Sequence, residues 1–274
     1  MPKKTGNIPI TSSTACKIFL CHYNHITDRS LLKEYQQLLN DEEIVRYQQM
    51  RSDSASQQFL VSRVLLRTVL AQEMNCRPEK IVFDVTSTGK PFIKQPVMNP
   101  IRFNLSHSFG KIVLAVSPQH PIGIDIEYLH RKNDLYKLAE RYFHAREYEQ
   151  LNLAKKSQKR QLFFSIWTLK EAFIKATGYG LAQSLNSFFF EFFPSGKLNL
   201  QSSMEELTDI TAHYWSYRGI SDYPMACLMF TPHSQQQPPE CYEFFPLKNN
   251  DLQQLSLHPS HCGHSSLRPT FENQ

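Results

Sequence analysis

The order of periodic segments repeats along this chain, and that repeat limits its folds more than any other feature. From about Asp28 to Glu73 three stretches carry apolar residues at helical spacing, and strand-like pieces follow; between about 133 and 177 three more helical stretches occur, and strands follow again. Helices then antiparallel strands, twice over, predicts an α+β architecture of two similar lobes with a cleft between them. The boundary falls near Pro121, giving an N-terminal arm (1–15), an N-terminal lobe (16–121), a C-terminal lobe (122–246) and a tail (247–274).

In the first half a short strand, "KIFLCHY", precedes the helices. The longest helix, "SDSASQQFLVSRVLLRTVLAQE", repeats Leu60, Val64, Leu65 and Val69 at helical spacing, with Ser52 or Asp53 as cap. The strands "KIVFDVT", "IRFNLSH" and "KIVLAVSP" are separated by turns at "STGKP" and "FGK". In the second half, helices near 133–142, 145–153 and 157–177 lead to strands near 187–193, 211–217 and 224–231. The tail from about Leu247 is polar without sustained period and reads as disordered. Its "HPSHCGH" tract, with His258, His261, Cys262 and His264, lacks the second ligand pair of a structural zinc site.

Composition excludes several classes. The 274 residues are 41% hydrophobic and 20% charged, which is ordinary for a globular protein. No run approaches the roughly 20 apolar residues of a membrane span, and no apolar stretch follows the basic N-terminus as a signal peptide requires. Six cysteines form no CxxC pair, so free thiols and a cytoplasmic location are expected. Net charge is +5, and residues 131–160 alone carry nine Lys or Arg against four Asp or Glu. That basic face suits an acidic partner or a phosphate-rich ligand; no nucleic-acid motif accompanies it.

The chemistry gathers on carboxylates. In "PIGIDIEYL", Ile122, Ile124 and Ile126 alternate with Gly123, Asp125 and Glu127, so the two acids share one face of a strand, about 6.6 Å apart along it. A surface edge decorated with charge would show the same alternation. Glu171 is a third acid, on "FFSIWTLKEAFIKATG", where Phe163, Ile166, Phe173 and Ile174 form the buried side and Gly178 the stop. Flanked by Lys170 and Lys175, it faces either water or a cleft. Three acids suit a hard divalent ion, which prefers oxygen ligands.

Taken in order, "STGKPFI", "FNLSHS", "GIDIE" and "WTLKEAFIKATGYGL" resemble the Sfp-type 4'-phosphopantetheinyl transferases, from about Lys17 through Phe230. The length resembles that family's pseudo-dimeric type, whose two α+β lobes are related by a pseudo-two-fold. The resemblance implies transfer of the 4'-phosphopantetheine of coenzyme A to a serine of an apo acyl or peptidyl carrier protein, releasing adenosine 3',5'-bisphosphate. It also implies a magnesium ion, with manganese as a substitute, held by Asp125, Glu127 and Glu171. Lys175 and His107, helped by Lys170, would act on the phosphates, and Glu171, Glu147 or a bound water would accept the serine proton. Arg46 would hold the 3'-phosphate; Gly89, Lys90 and Pro91 would line the nucleotide pocket, and Asn104 and Ser106 would belong to the coenzyme A site with Asp125. Gln57 and Gln58 stand where relatives often carry a basic residue. The expected protein is a monomer that binds no nucleic acid or membrane, its carrier docking on 131–160 and the region after "GYGL". A catalytically inactive coenzyme A- or carrier-binding relative is the alternative.

Overall fold

In the computed structural model, residues 15–95, 101–132, 134–180, 184–202, 210–232, 236–247 and 252–266 are described here. Strand β1 (Lys17–His22) leads to helices α1 (Arg29–Gln36), α2 (Asp41–Gln48) and α3 (Asp53–Glu73). Hairpin strands β2 (Val82–Val85) and β3 (Pro91–Gln95) precede β4 (Arg102–Ser108) and β5 (Lys111–Ser117). The second half runs β6 (Ile122–Ile126), α4 (Leu135–Tyr142), α5 (Ala145–Leu153), α6 (Lys156–Thr177), β7 (Phe188–Phe192), β8 (Leu198–Ser202), β9 (Thr211–Tyr217) and β10 (Met225–Thr231). Three strands close the described chain: β11 (Glu240–Phe244), β12 (Leu252–Leu255) and β13 (His261–Ser266).

Helix starts follow side-chain chemistry. Asn40 and Glu43 form a capping box on α2, and Ser52 caps α3. Glu43 then turns inward, 2.7 Å from Arg63 and 2.9 Å from Arg67. Arg67 also donates to the carbonyls of Ile81 and Pro78, so it belongs to the scaffold. Gln57 donates to the carbonyls of Tyr23 and Ile26, which gives it a structural task where a phosphate contact was the family's pattern.

Among the described residues, one sheet has the order β12-β11-β1-β5-β4 and another β13-β9-β10-β6; β2-β3 and β7-β8 form small ribbons. The layers run α3, first sheet, second sheet, α6. Phe19, Ile112, Leu114 and Val116 pack against α3's Leu60, Val64 and Leu65. Ile18, Leu20, Val113 and Ala115 meet Ile122, Ile124, Ile126 and Met225 between the sheets. Ala226, Leu228 and Phe230 lie under Leu169, Ala172 and Phe173 of α6. Each sheet is therefore buried on both faces, and each lobe sets a long helix on its outer side.

The tail departs from expectation. Instead of irregular chain, Leu252–Leu255 pairs antiparallel with β11, and His261–Ser266 with β9. Polar side chains hid these strands because no residue of either is fully buried, so neither needs an apolar run. Gly263 is required there: a Cβ would lie 1.9 Å from the Leu198 carbonyl oxygen. Strand β11 pairs parallel with β1 and antiparallel with β12, so Glu240–Phe244 and Leu252–Leu255 join the sheet of the first half, although the division above puts the former in the C-terminal lobe and the latter in the tail. The arm's residues 1–14 and the tail's 248–251 and 267–274 lie outside the described residues, as do 181–183 after "GYG".

Candidate active site

Strands β4 and β6 edge the two large sheets, and a file of small polar side chains joins them. Asn104 accepts from the Ile124 amide (2.9 Å), Ser106 donates to Asp125 (2.7 Å), and Ser108 donates to Glu127 (3.1 Å) while accepting from the Tyr128 amide. Residues i, i+2 and i+4 share a strand face, so the alternation in "FNLSHS" builds the whole file. Ser108 was the member not singled out from sequence, though it sits on the same period.

Helix α6 crosses the acid face of β6. Gly123 makes this approach possible, since a Cβ there would lie 2.0 Å from the Ala172 carbonyl oxygen and 2.6 Å from the Ala176 nitrogen. The acids of β6 are accordingly not a solvent-facing edge: Asp125 and Glu127 are buried beneath α6. From α6, Lys175 reaches Asp125 Oδ1 (2.6 Å), Ser106 Oγ (3.1 Å) and the Ile124 carbonyl (3.3 Å).

Glu171 stands one helical turn before Lys175. Burial, then the Asp125 charge, pushes its carboxyl above the usual range, Lys175 opposes that rise, and Glu127 adds to it. The three expected acids thus share one electrostatic neighbourhood. Glu127 is raised by burial and by Asp125, against the pull of Arg131, which lies 2.5 Å away. No hydrogen bond or ion pair among the described residues ties up the Glu171 carboxylate. His107 is exposed and lies on the face of β4 opposite to Asn104, Ser106 and Ser108, so it does not join that file; desolvation, then the Lys175 charge, lowers the pKa of its imidazole.

The donor set suits a hard cation: three carboxylates, with Asp125 Oδ2 buried and lacking a hydrogen-bond partner. Among the described residues the side chains as they stand form no ready three-ligand cluster. Lys175 engages Asp125 Oδ1 and Arg131 engages both oxygens of Glu127, which leaves Asp125 Oδ2 and the Glu171 carboxylate as the open donors. Arg131, a contributor not foreseen from sequence, has its side chain 41% exposed and can swing into water.

Two expected site residues belong elsewhere. Glu147 is fully buried, its carboxylate 2.7 Å from Lys170 Nζ and accepting from the amides of Phe190 and His144. Lys170 in turn donates to the carbonyls of Leu185 and Phe188. Burial pushes Glu147 up and Lys170 down, but each has every oxygen or proton engaged. Glu147 is therefore not a base for substrate, and Lys170 does not reach phosphates; they pin α5, α6 and β7 together.

The nucleotide end is only partly assembled. Gly89, with φ +83°, closes the turn before Pro91 opens β3. Lys90 directs its ammonium to the Ala176 carbonyl at 3.2 Å, and burial lowers its pKa to about 8. Arg46 is exposed, with its guanidinium 5.3 Å over the Phe59 ring, and makes no recorded contact with the acids.

Comparison with known proteins agrees with this layout. The model of the 4'-phosphopantetheinyl transferase superfamily matches residues 121–228, and that of the 4'-phosphopantetheinyl transferase N-terminal region matches 27–119. A Synechocystis sp. protein named for this activity is 35% identical over 170 residues, covering 62% of this chain and 68% of its own. The transferase HetI of Nostoc sp. is 37% identical over 155 residues, covering 56% of this chain and 65% of its own, slightly under two thirds. The transferase psf-1 of Bacillus pumilus is 32% identical over 201 residues, covering 72% and 84%. With family models matching both halves and a relative 32% identical covered over 84% of its length, the chain belongs to the 4'-phosphopantetheinyl transferase superfamily.

Proposed function

We propose that this enzyme transfers 4'-phosphopantetheine from coenzyme A to a serine of an apo acyl or peptidyl carrier protein, with the seam between β4, β6 and α6 as its active site. The observation that carries the reading is Glu171: a partly buried carboxylate with no hydrogen-bond or ion-pair partner among the described residues, within the fields of Asp125, Lys175 and Glu127. Asp125, Glu127 and Glu171 would hold magnesium, or manganese in its place, supplying charge neutralisation to the pyrophosphate.

Lys175 leaves Asp125 to bind a phosphate oxygen, its ammonium already aimed at the seam. Its side chain is 26% exposed, so that movement does not strand a charge in the core. His107, exposed on β4, donates one hydrogen bond to the phosphates. Glu171 accepts the serine proton as the oxygen attacks phosphorus, and adenosine 3',5'-bisphosphate leaves. A carboxylate that also binds magnesium is a weakened base, so a bound water is the alternative acceptor of that proton. An acidic carrier suits the surplus of nine cations over four anions in 131–160. Both faces of the seam come from one chain, which favours a monomer, and free cysteines favour the cytoplasm. Among the described residues no helix is long and apolar enough to cross a membrane.

The test is incubation with coenzyme A, magnesium and a panel of apo carriers, followed by intact-mass measurement. A mass gain of one phosphopantetheine that Glu171→Gln abolishes supports the assignment; an unchanged gain in that variant removes Glu171 from the chemistry.

A further inference from the structure

The hairpin turn between β2 and β3 reaches across to the C-terminus of α6. A helix ends with four carbonyls lacking intrahelical partners, and cations near that end are favoured by the macrodipole. Here the Gly178 amide and Thr177 hydroxyl both bond the Ile174 carbonyl, while the first lobe supplies two further donors. Lys90 Nζ donates to the Ala176 carbonyl at 3.2 Å, and Thr88 Oγ1 donates to the Gly178 carbonyl at 2.7 Å. Gly178 adopts φ +84°, and a Cβ there would lie 3.5 Å from Lys90 Cδ, so the lysine stem lies along the cap.

The turn itself is braced. The Thr86 amide donates to the Lys90 carbonyl and the Gly89 amide to the Thr86 carbonyl, both at 2.9 Å, and Thr86 Oγ1 accepts from the Lys90 amide at 3.1 Å. Its hairpin is anchored on the first lobe through Phe83, whose ring meets Phe103 and lies under Arg63 and Arg67. A continuous set of contacts therefore runs from α3 through the turn to the helix end directly after Lys175.

We propose that Lys90 and Thr88 are positioning residues for the transfer reaction: from the opposite lobe they hold the end of α6, fixing Lys175 and Glu171 against Asp125. This rests on the function proposed above for the same seam. The effect on rate comes through α6 rather than through a side-chain contact with coenzyme A. A displacement of order 1 Å in a catalytic group can cost about a hundredfold, so a loosened helix end is expected to show mainly in kcat.

Two measurements on the full chain test this. With coenzyme A and an apo carrier protein, Lys90→Met is expected to lower kcat about tenfold while the KM for coenzyme A moves less than about threefold, and Lys90→Arg to restore most of the rate. Hydrogen exchange of amides near 174–178 is expected to quicken about tenfold in Lys90→Met and Thr88→Val, with α3 unchanged. A large rise in KM with kcat retained overturns the proposal in favour of a direct nucleotide contact, and unchanged exchange overturns it whatever the kinetics. A wild-type protein without transfer activity fails the proposed function, while the exchange measurement still decides the cap.

Discussion

Lys175 Nζ lies 2.6 Å from Asp125 Oδ1, joining the second lobe's long helix to the strand at the seam. Each group holds the other in place until a ligand separates them. Asp125→Ala is expected to lower transfer by about a hundredfold or more, since it removes an acid from the cation site and the anchor of Lys175. Stability should change by no more than about 1–2 kcal/mol, because the freed ammonium can reach water. Carrier modification by mass spectrometry and urea unfolding check the two halves of this statement.

Glu147 and Lys170 should behave in the opposite way. Their side chains are 0% and 1% exposed, so Glu147→Ala or Lys170→Met alone leaves a charge uncompensated in the core and is expected to cost about 3–5 kcal/mol. Replacing both with methionine should recover much of that loss. Chemical denaturation of the two single variants and the double variant measures the coupling.

Gly123→Ala tests the approach of β6 to α6. With 2.0 Å available to the Ala172 oxygen, the helix must shift, carrying Glu171 and Lys175 away from Asp125. Expected outcomes are a lower Tm and a greater loss of kcat than of coenzyme A affinity; normal kinetics would show that the seam tolerates a wider spacing.

His22 predicts acid sensitivity. Burial, Lys111 and His25 depress its pKa to about 4. It is thus neutral in the fold at pH 5, and its 3.6 Å approach to Glu243 is not then an ion pair. As pH falls from about 6.5 the unfolded chain takes up a proton that the fold refuses, so stability drops until about pH 4. His22→Gln should flatten the Tm profile over that window.

Much of the site was legible because its signals are local. The period-two run from Ile122 to Glu127 gave both the buried isoleucine face and the acid face, while Phe163, Ile166, Phe173 and Ile174 marked the buried side of α6 and left Glu171 to water or a cleft, a choice that the Lys175 contact with Asp125 bears on only in three dimensions. The contacts that escaped are between distant segments. Nothing near Glu147 signals that Lys170 will meet it across two helices, and an acid on a short helix looks the same whether it faces water or the core. Lys90 was visible as a turn residue, but its target at Ala176 lies 86 positions away. Strands β12 and β13 lacked an alternating apolar run because none of their side chains is fully buried, so backbone pairing with β11 and β9 holds them in place.

Those two strands have a practical consequence for dissecting the molecule. The closing segment gives β12 to one sheet and β13 to the other, with Leu255 and Leu257 against the core between them. Fragments expressed separately on either side of Pro121 would not be self-sufficient: the leading piece would lack β11 and β12, and the trailing piece would carry both with no β1 to receive them. The halves are better suited to serve as a complementing pair, regaining their fold when mixed.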